Sequence, residues 1–324
     1  MDIMAALRDF EQLTGFPVTV MDGEIQDYSV TVEELLSGRV KASQFLLSEL
    51  ADILSREFGL AIDPLEAAPE WDFLYRMMEE SPIFRQYCQA AHENPMVQMN
   101  ELDNETLERI FDFLQLDKSI QVIVVGCGNG SLAEWISDRS GAHVTGIDIS
   151  PYAIRSAIAR TQAKRDYLAF QVGDINQLQA ALNGISGIDT ILALETLYAS
   201  DNLHRTIGEL KTLLPAEGQM LFIANQHIEQ PETQSYRLHP EQTDIALAIK
   251  SLGLALKVID LTQNKLRYLE GSIALLEQYK AAFIEEGQRD FWAGRIIYDR
   301  KMLKRVQGGL TRRFLYHVKK VEGK

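Results

Sequence analysis

Cysteine is nearly missing from this 324-residue chain, which has only Cys88 and Cys127. Two distant thiols make no disulfide framework, so a stapled secreted fold is excluded and a reducing, cytoplasmic setting is expected. Long apolar runs are missing as well. None reaches the roughly 18–20 residues that a membrane-crossing helix needs, so no membrane partner is expected. The opening Met-Asp-Ile-Met lacks the basic, apolar and small-residue succession of a secretory signal. Positive charge is scarce, with 32 Lys and Arg against 46 Asp and Glu and a formal charge of -14. That balance disfavours nucleic acid, whose phosphates attract basic surfaces. No repeat or low-complexity tract is present. The histidines (His92, His143, His204, His227, His239, His317) show no metal-ligand spacing. No Ser-His-Asp or paired-carboxylate arrangement stands out, and no metal is expected.

The charge is unevenly placed. Residues 1–100 hold 18 acidic and 6 basic side chains, whereas residues 295–324 hold 10 basic and 2 acidic. Arg312, Arg313, Lys319 and Lys320 in that tail read as the solvated positions of an edge strand, where charge discourages aggregation. The first 95 residues show no strand–helix alternation. They read as helices over Asp2–Leu13, Thr31–Leu36, Lys41–Glu57 and Glu70–Glu79, with a short strand-like stretch at Pro17–Met21. Phe45, Leu46, Leu50, Ile53 and Leu54 form a helical stripe. Gly59, Pro64, Pro69 and Pro82 punctuate the region. A helical N-terminal domain over residues 1–95, with a linker near 90–97, is expected, acting as a cap or lid.

What the chain does contain is concentrated at residues 122–130, Val-Ile-Val-Val-Gly-Cys-Gly-Asn-Gly. Four β-branched residues predict a buried strand. Gly126, Gly128 and Gly130 let the backbone turn sharply beside a ligand, and Ser131–Arg139 is helical in pattern. Strand, glycine turn and helix form a nucleotide-type cradle. Asp148 ends the next apolar run, 22 residues after Gly126, where an acid meets ribose hydroxyls. A dinucleotide turn needs a third glycine where this chain has Ser131, which disfavours a nicotinamide-dependent oxidoreductase.

Further elements follow in order: a strand over 141–150, a helix over 151–165, and strands over 167–174 and 188–194. A turn into a fifth strand covers 213–223, and strands six and seven cover 256–261 and 313–318. Together with the G-x-G-x-G turn, this succession resembles the Rossmann-like, class I S-adenosylmethionine (SAM)-dependent methyltransferases of the bacterial small-molecule type. The resemblance implies a seven-stranded mixed α/β sheet with helices on both faces. The methyltransferase domain would cover 96–324, with a helical insertion at about 263–307. In that insertion Phe291, Trp292, Arg295 and Tyr298 share a helical side and read mainly as packing residues.

The resemblance also implies the SAM contacts. Gly126, Cys127, Gly128, Asn129 and Gly130 form the turn, with Cys127 as a small residue and not a nucleophile. Asp148 and Ile149 serve the ribose, and Asp174 and Ile175 flank the adenine. Leu194 ends strand four. Gln98 and Met99 match a pair that opens the helix before the glycine turn and faces the cofactor. The chain departs from the family at Val124, where members carry an acid for the methionine amino group.

Methyl transfer is an in-line displacement that mainly needs alignment and exclusion of water. Catalytic candidates therefore come from position. Glu195 would orient or deprotonate an amine, and Tyr198 would frame the acceptor or sulfonium. His227, read as following strand five, would be a base for O-methylation. No Asn-Pro-Pro-Tyr-like sequence follows strand four, which argues against nucleic-acid bases or protein glutamine as acceptors. The expected function is methyl transfer to nitrogen or oxygen of a small molecule. A SAM-binding sensor without catalysis is the alternative motivated by Val124, and homodimerisation stays open.

Overall fold

A computed structural model describes residues 67–182 and 185–320. The expected helices at 2–13, 31–36 and 41–57 and the stretch 17–21 lie outside the described residues. In chain order the elements are α1 (Ala67–Glu80), α2 (Pro82–His92), α3 (Asn104–Leu114), β1 (Gln121–Val125), α4 (Ser131–Ser140), β2 (His143–Asp148), α5 (Pro151–Arg160) and β3 (Leu168–Val172). There follow α6 (Leu178–Ala181), β4 (Thr190–Leu194), α7 (Leu203–Leu213), β5 (Gln219–His227), α8 (Pro231–Gln234) and α9 (Asp244–Ser251). The last are β6 (Ala255–Asp260), α10 (Thr262–Glu285), α11 (Arg289–Gln307) and β7 (Thr311–Lys319). No described helix is long and apolar enough to cross a membrane.

The described chain falls into two compact units. One comprises residues 67–91 and Leu266–Gly308 and is helical. Its interior mixes aromatic packing with a buried polar group. Phe84 meets Phe291 edge-on with centroids 4.9 Å apart, and the Trp292 indole donates to the Leu276 carbonyl at 2.7 Å. The Tyr87 hydroxyl lies 2.6 Å from Ser272 Oγ, and the Ser272 hydroxyl also meets Asp299, which pairs with Arg295 at 3.1 Å. Burial pushes the Tyr87 hydroxyl up to about 12.

The second unit, His92–Lys265 with Gly309 onward, contains a seven-stranded sheet in the order β3-β2-β1-β4-β5-β7-β6. β1 pairs in parallel with both β2 and β4, so the chain reverses direction across the sheet between them. β7 alone is antiparallel to its neighbours β5 and β6. Both faces of the central strands are covered, so β1 and β4 are buried almost throughout instead of alternating. Ile123, Val125, Ile191, Ala193, Phe222 and Phe314 belong to one core cluster. Val122, Val124, Leu192, Leu194, Ile223 and Leu315 belong to the other.

Local chemistry sets the helix ends. Asp103 caps α3 by accepting from Thr106 N–H at 2.8 Å. Ser150 caps α5 by accepting from Ala153 N–H at 3.1 Å, with Pro151 in the first turn where no N–H is needed.

Three expectations need correction. β7 is interior, not an edge, because β6 closes the sheet beyond it, and Arg313 is fully buried. His227 does not follow β5 but is its last residue, paired with Thr311. Gln98 and Met99 do not open a helix, since α3 starts six residues beyond Gln98. Side chains hold their segment irregular: Asn94 accepts from Met96 N–H at 3.1 Å and Asn100 from Leu102 N–H at 3.1 Å.

Candidate active site

The carboxyl ends of β1, β2 and β4 meet at the reversal point. Gly126 and Cys127 donate N–H to the Ile147 carbonyl at 2.7 and 3.0 Å, which turns the chain sharply off β1. Gly126 has φ +70°, and a Cβ there would overlap the Thr196 side chain. A Cβ on Gly130 would overlap the Phe170 ring, so two of the three glycines are required by packing alone. Asn129 ties this loop outward: its amide donates to the Val97 carbonyl at 3.3 Å, and its carbonyl accepts from Arg160 at 2.7 Å. Cys127 is buried, and burial followed by the charge of Asp148 pushes its thiol well up. A protonated, enclosed thiol fills space and is no nucleophile.

Asp148 is the buried acid of the site. One oxygen accepts from Gly128 N–H at 2.8 Å and the other from Ser150 N–H at 3.0 Å. A carboxylate so held is an acceptor-only group, the type that a vicinal diol pairs with. Ile149 beside it is half-buried. Asp174 is half-buried and accepts from Asn176 N–H at 2.8 Å, while Asn176 bridges to Ala199 and Asp201 beyond β4. Ile175 and Leu194 are each buried in a core cluster. Gln98 is buried and donates to the Leu102 carbonyl at 3.2 Å, whereas Met99 is half-buried.

The catalytic candidates separate. Glu195 sits just past β4 with φ +57°, a left-handed conformation unusual for a residue with a side chain. One carboxylate oxygen lies 2.7 Å from Arg313 Nη2, and the other accepts from Glu101 N–H at 2.9 Å. Glu101 in turn holds Lys265 Nζ at 2.5 and 2.6 Å. Lys265 and Arg313 are fully buried, and Glu101 is nearly so. Burial would lower the Arg313 pKa, but Glu195 and Glu101 more than offset this and hold it above its usual value. Tyr198 is 71% exposed. His227 is exposed at the tip of β5, with Nδ1 2.8 Å from the Thr311 hydroxyl. It lies four residues past Ile223, the partner of Leu194, which is about 13 Å along a strand. Glu195, one residue beyond Leu194, is thus about 10 Å from the level of His227 along the strand direction.

Glu101, Lys265 and Arg313 escaped the sequence reading. One signal was present: Arg313 is in phase with the buried Leu315 and His317, at a period of two. No group of metal-binding side chains occurs among the described residues.

The family model for the methyltransferase domain matches residues 116–270, from before β1 to within α10. This stretch matches a methyltransferase domain, and the sheet it helps to build has the fold of the solved methyltransferases below. A curated relative, the eEF1A lysine and N-terminal methyltransferase of Xenopus laevis, is 35% identical over 101 residues, covering 28% of this chain and 15% of its own. Among solved structures, phosphoethanolamine N-methyltransferase 2 of Haemonchus contortus, in complex with phosphomonomethylethanolamine and S-adenosylhomocysteine (SAH), matches with TM-score 0.60 and 14% identity. That match covers 76% of this chain and 59% of the other. Geranyl diphosphate C-methyltransferase of Streptomyces coelicolor A3(2) matches with TM-score 0.57 and 15% identity, covering 80% and 100%. At such identities the structural likeness bears on the fold. The chain spans less than two thirds of the curated relatives it matches first. Phosphoethanolamine N-methyltransferase 2 of Haemonchus contortus is also solved in complex with SAM. The residues present fit such a cofactor: a left-handed glycine turn at the reversal point and a buried carboxylate anchored to that turn.

Proposed function

We propose that the chain is an active SAM-dependent methyltransferase acting on nitrogen or oxygen of a small molecule. The observation that carries the cofactor half is Asp148, anchored through both oxygens at the mouth of the glycine turn. In this reading Gly128 and Asn129 approach the cofactor's backbone side, Asp148 accepts from the ribose hydroxyls, and Asp174 with Ile175 borders the adenine. Bound SAM supplies an electrophilic methyl on a sulfonium. The protein's part is to hold the acceptor in line and keep water out, which can supply on the order of 7–11 kcal/mol. Tyr198, exposed beyond β4, is positioned to meet an acceptor entering from solvent. A cytoplasmic setting belongs to the same reading and is supported by two buried cysteines that form no disulfide with each other.

Asp148→Ala should abolish measurable SAH binding by calorimetry while the fold melts near the wild-type temperature. Unchanged SAH affinity would remove the ribose site from Asp148. The small-molecule half draws on the sequence after β4, Glu195-Thr196-Leu197-Tyr198. Radiolabelled SAM offered to a metabolite extract and to a protein fraction should label the metabolites. Label only in protein would reverse the acceptor class, and the relatives include an enzyme named for lysine methylation.

A second reading, a SAM-binding sensor without catalysis, is favoured by one observation. Val124 is buried and apolar at the position where the family carries an acid. Binding of SAM with no label transferred to either fraction would select it.

A further inference from the structure

The amino-acid arm of SAM ends in an ammonium and a carboxylate. An ammonium leaving water needs an anionic acceptor, yet residues 121–131, which form β1 and the glycine turn, contain no Asp or Glu. Asp148 stands on β2 with one oxygen on each of two backbone N–H groups. Glu195 stands on the other side of β1, at the end of β4. Its neighbour Thr196 lies so close to the turn that a Cβ on Gly126 would collide with it.

Direction also singles out Glu195. Along β4, Ile191 and Ala193 face one core cluster while Leu192 and Leu194 face the other. Regular alternation would send residue 195 to the Ile191–Ala193 face. Its left-handed φ instead accompanies a carboxylate that reaches Arg313, which is in phase with Leu315 on the Leu194 face. A strained backbone persists only where its surroundings over-determine it. Here the determinants are the Arg313 guanidinium and the Glu101 N–H. Oε1 is enclosed against Arg313, whereas Oε2 accepts one N–H and has a second lone pair for a ligand, and the side chain is 13% exposed. The charges of Glu101, Lys265, Arg313 and Glu195 cancel, so an arm carrying its own carboxylate adds no net charge.

We propose that Glu195 is the carboxylate that receives the cofactor's ammonium in place of the acid missing at Val124, and that Arg313 is its positioning residue. This rests on the SAM-binding reading above.

The test is calorimetry with two ligands, SAH and 5′-methylthioadenosine, which lacks the amino-acid arm. Wild-type protein should bind both, with SAH tighter. Glu195→Gln should weaken SAH about 10- to 100-fold and leave methylthioadenosine unchanged, the loss expected for a hydrogen bond to a charged group. Arg313→Met should show the same selective loss, with Arg313→Lys recovering part of it. A merely structural Arg313 would instead weaken both ligands together. Should Arg313→Met fail to fold, Glu195→Gln decides alone. Equal weakening of both ligands, or of neither, overturns the proposal and leaves the cofactor reading intact. Failure of wild-type protein to bind either ligand overturns both.

Discussion

A side chain at position 126 has nowhere to go. The backbone there is left-handed, and the space a Cβ would take belongs to Thr196. Gly126→Ala should therefore cost about 2 kcal/mol or more, combining backbone strain with overpacking. Adding Thr196→Ala should return part of that loss, because only the steric share is relieved. Equal instability of the single and double variants in urea would show that backbone strain alone is at issue. The turn was legible in the sequence because glycine has few reasons to recur at alternate positions, and Asp148 was legible from its spacing. Arg313 was misread because a basic tail resembles a solvated edge. Only the knowledge that β7 is interior turns that residue into a buried partner of Glu195.

At the scale of elements, caps and ladders set what can be measured. Burial pushes the Asp103 carboxyl up, but hydrogen bonds from Thr106 and Asn264 outweigh it and hold the group below its usual value. Its stabilising share is thus present above the ordinary carboxylate range and is lost as pH falls through the lowered value. Asp103→Ala should cost about 1 kcal/mol at neutral pH, the usual loss of an N-cap, and less in strong acid. A cost that does not change between pH 7 and pH 3 would contradict this.

His317 in β7 runs in a related direction. Burial first, then Lys319 and Lys257, lowers its pKa below the ordinary value of about 6.5. Its Nε2 lies 2.9 Å from Gln219 Oε1. Below about pH 6.5 the unfolded chain takes up a proton that the folded chain resists, so stability falls with pH in that window. Melting temperatures of wild type and His317→Gln from pH 7.5 to 5.5 should converge on the acid side. Parallel curves would clear His317 of the effect.

The strands were readable because runs such as Val122–Val125 and Ile191–Leu194 are too apolar and too short for anything else. The segment 93–103 was not. Its course is fixed by Asn94, Asn100 and Asp103 bonding to nearby backbone, a competition that leaves no periodic trace. The position of β7 between β5 and β6 was equally hidden, because pairing partners far apart in sequence are chosen by packing and not by local pattern.

For the whole molecule, the prediction concerns coupling between ligand and fold. SAM or SAH at about 100 times its dissociation constant should add about 2.7 kcal/mol, raising the melting temperature by a few degrees. NADH should leave it unchanged, since Ser131 stands where a dinucleotide turn needs glycine. A shift with NADH alone would reassign the cofactor.

The sheet order carries one more consequence, for the nascent chain. A ribosome releases β5 and β6 long before β7, yet β7 is the strand that joins them. Until it emerges, both present open hydrogen-bonding edges, and the Glu101 and Glu195 carboxylates wait without the Arg313 guanidinium. Parallel pairing of β1 to β5 can proceed during synthesis, but the sheet is completed only when β7 inserts, two helices later than β6. A folding intermediate lacking β7 is therefore the species most exposed to edge-to-edge association.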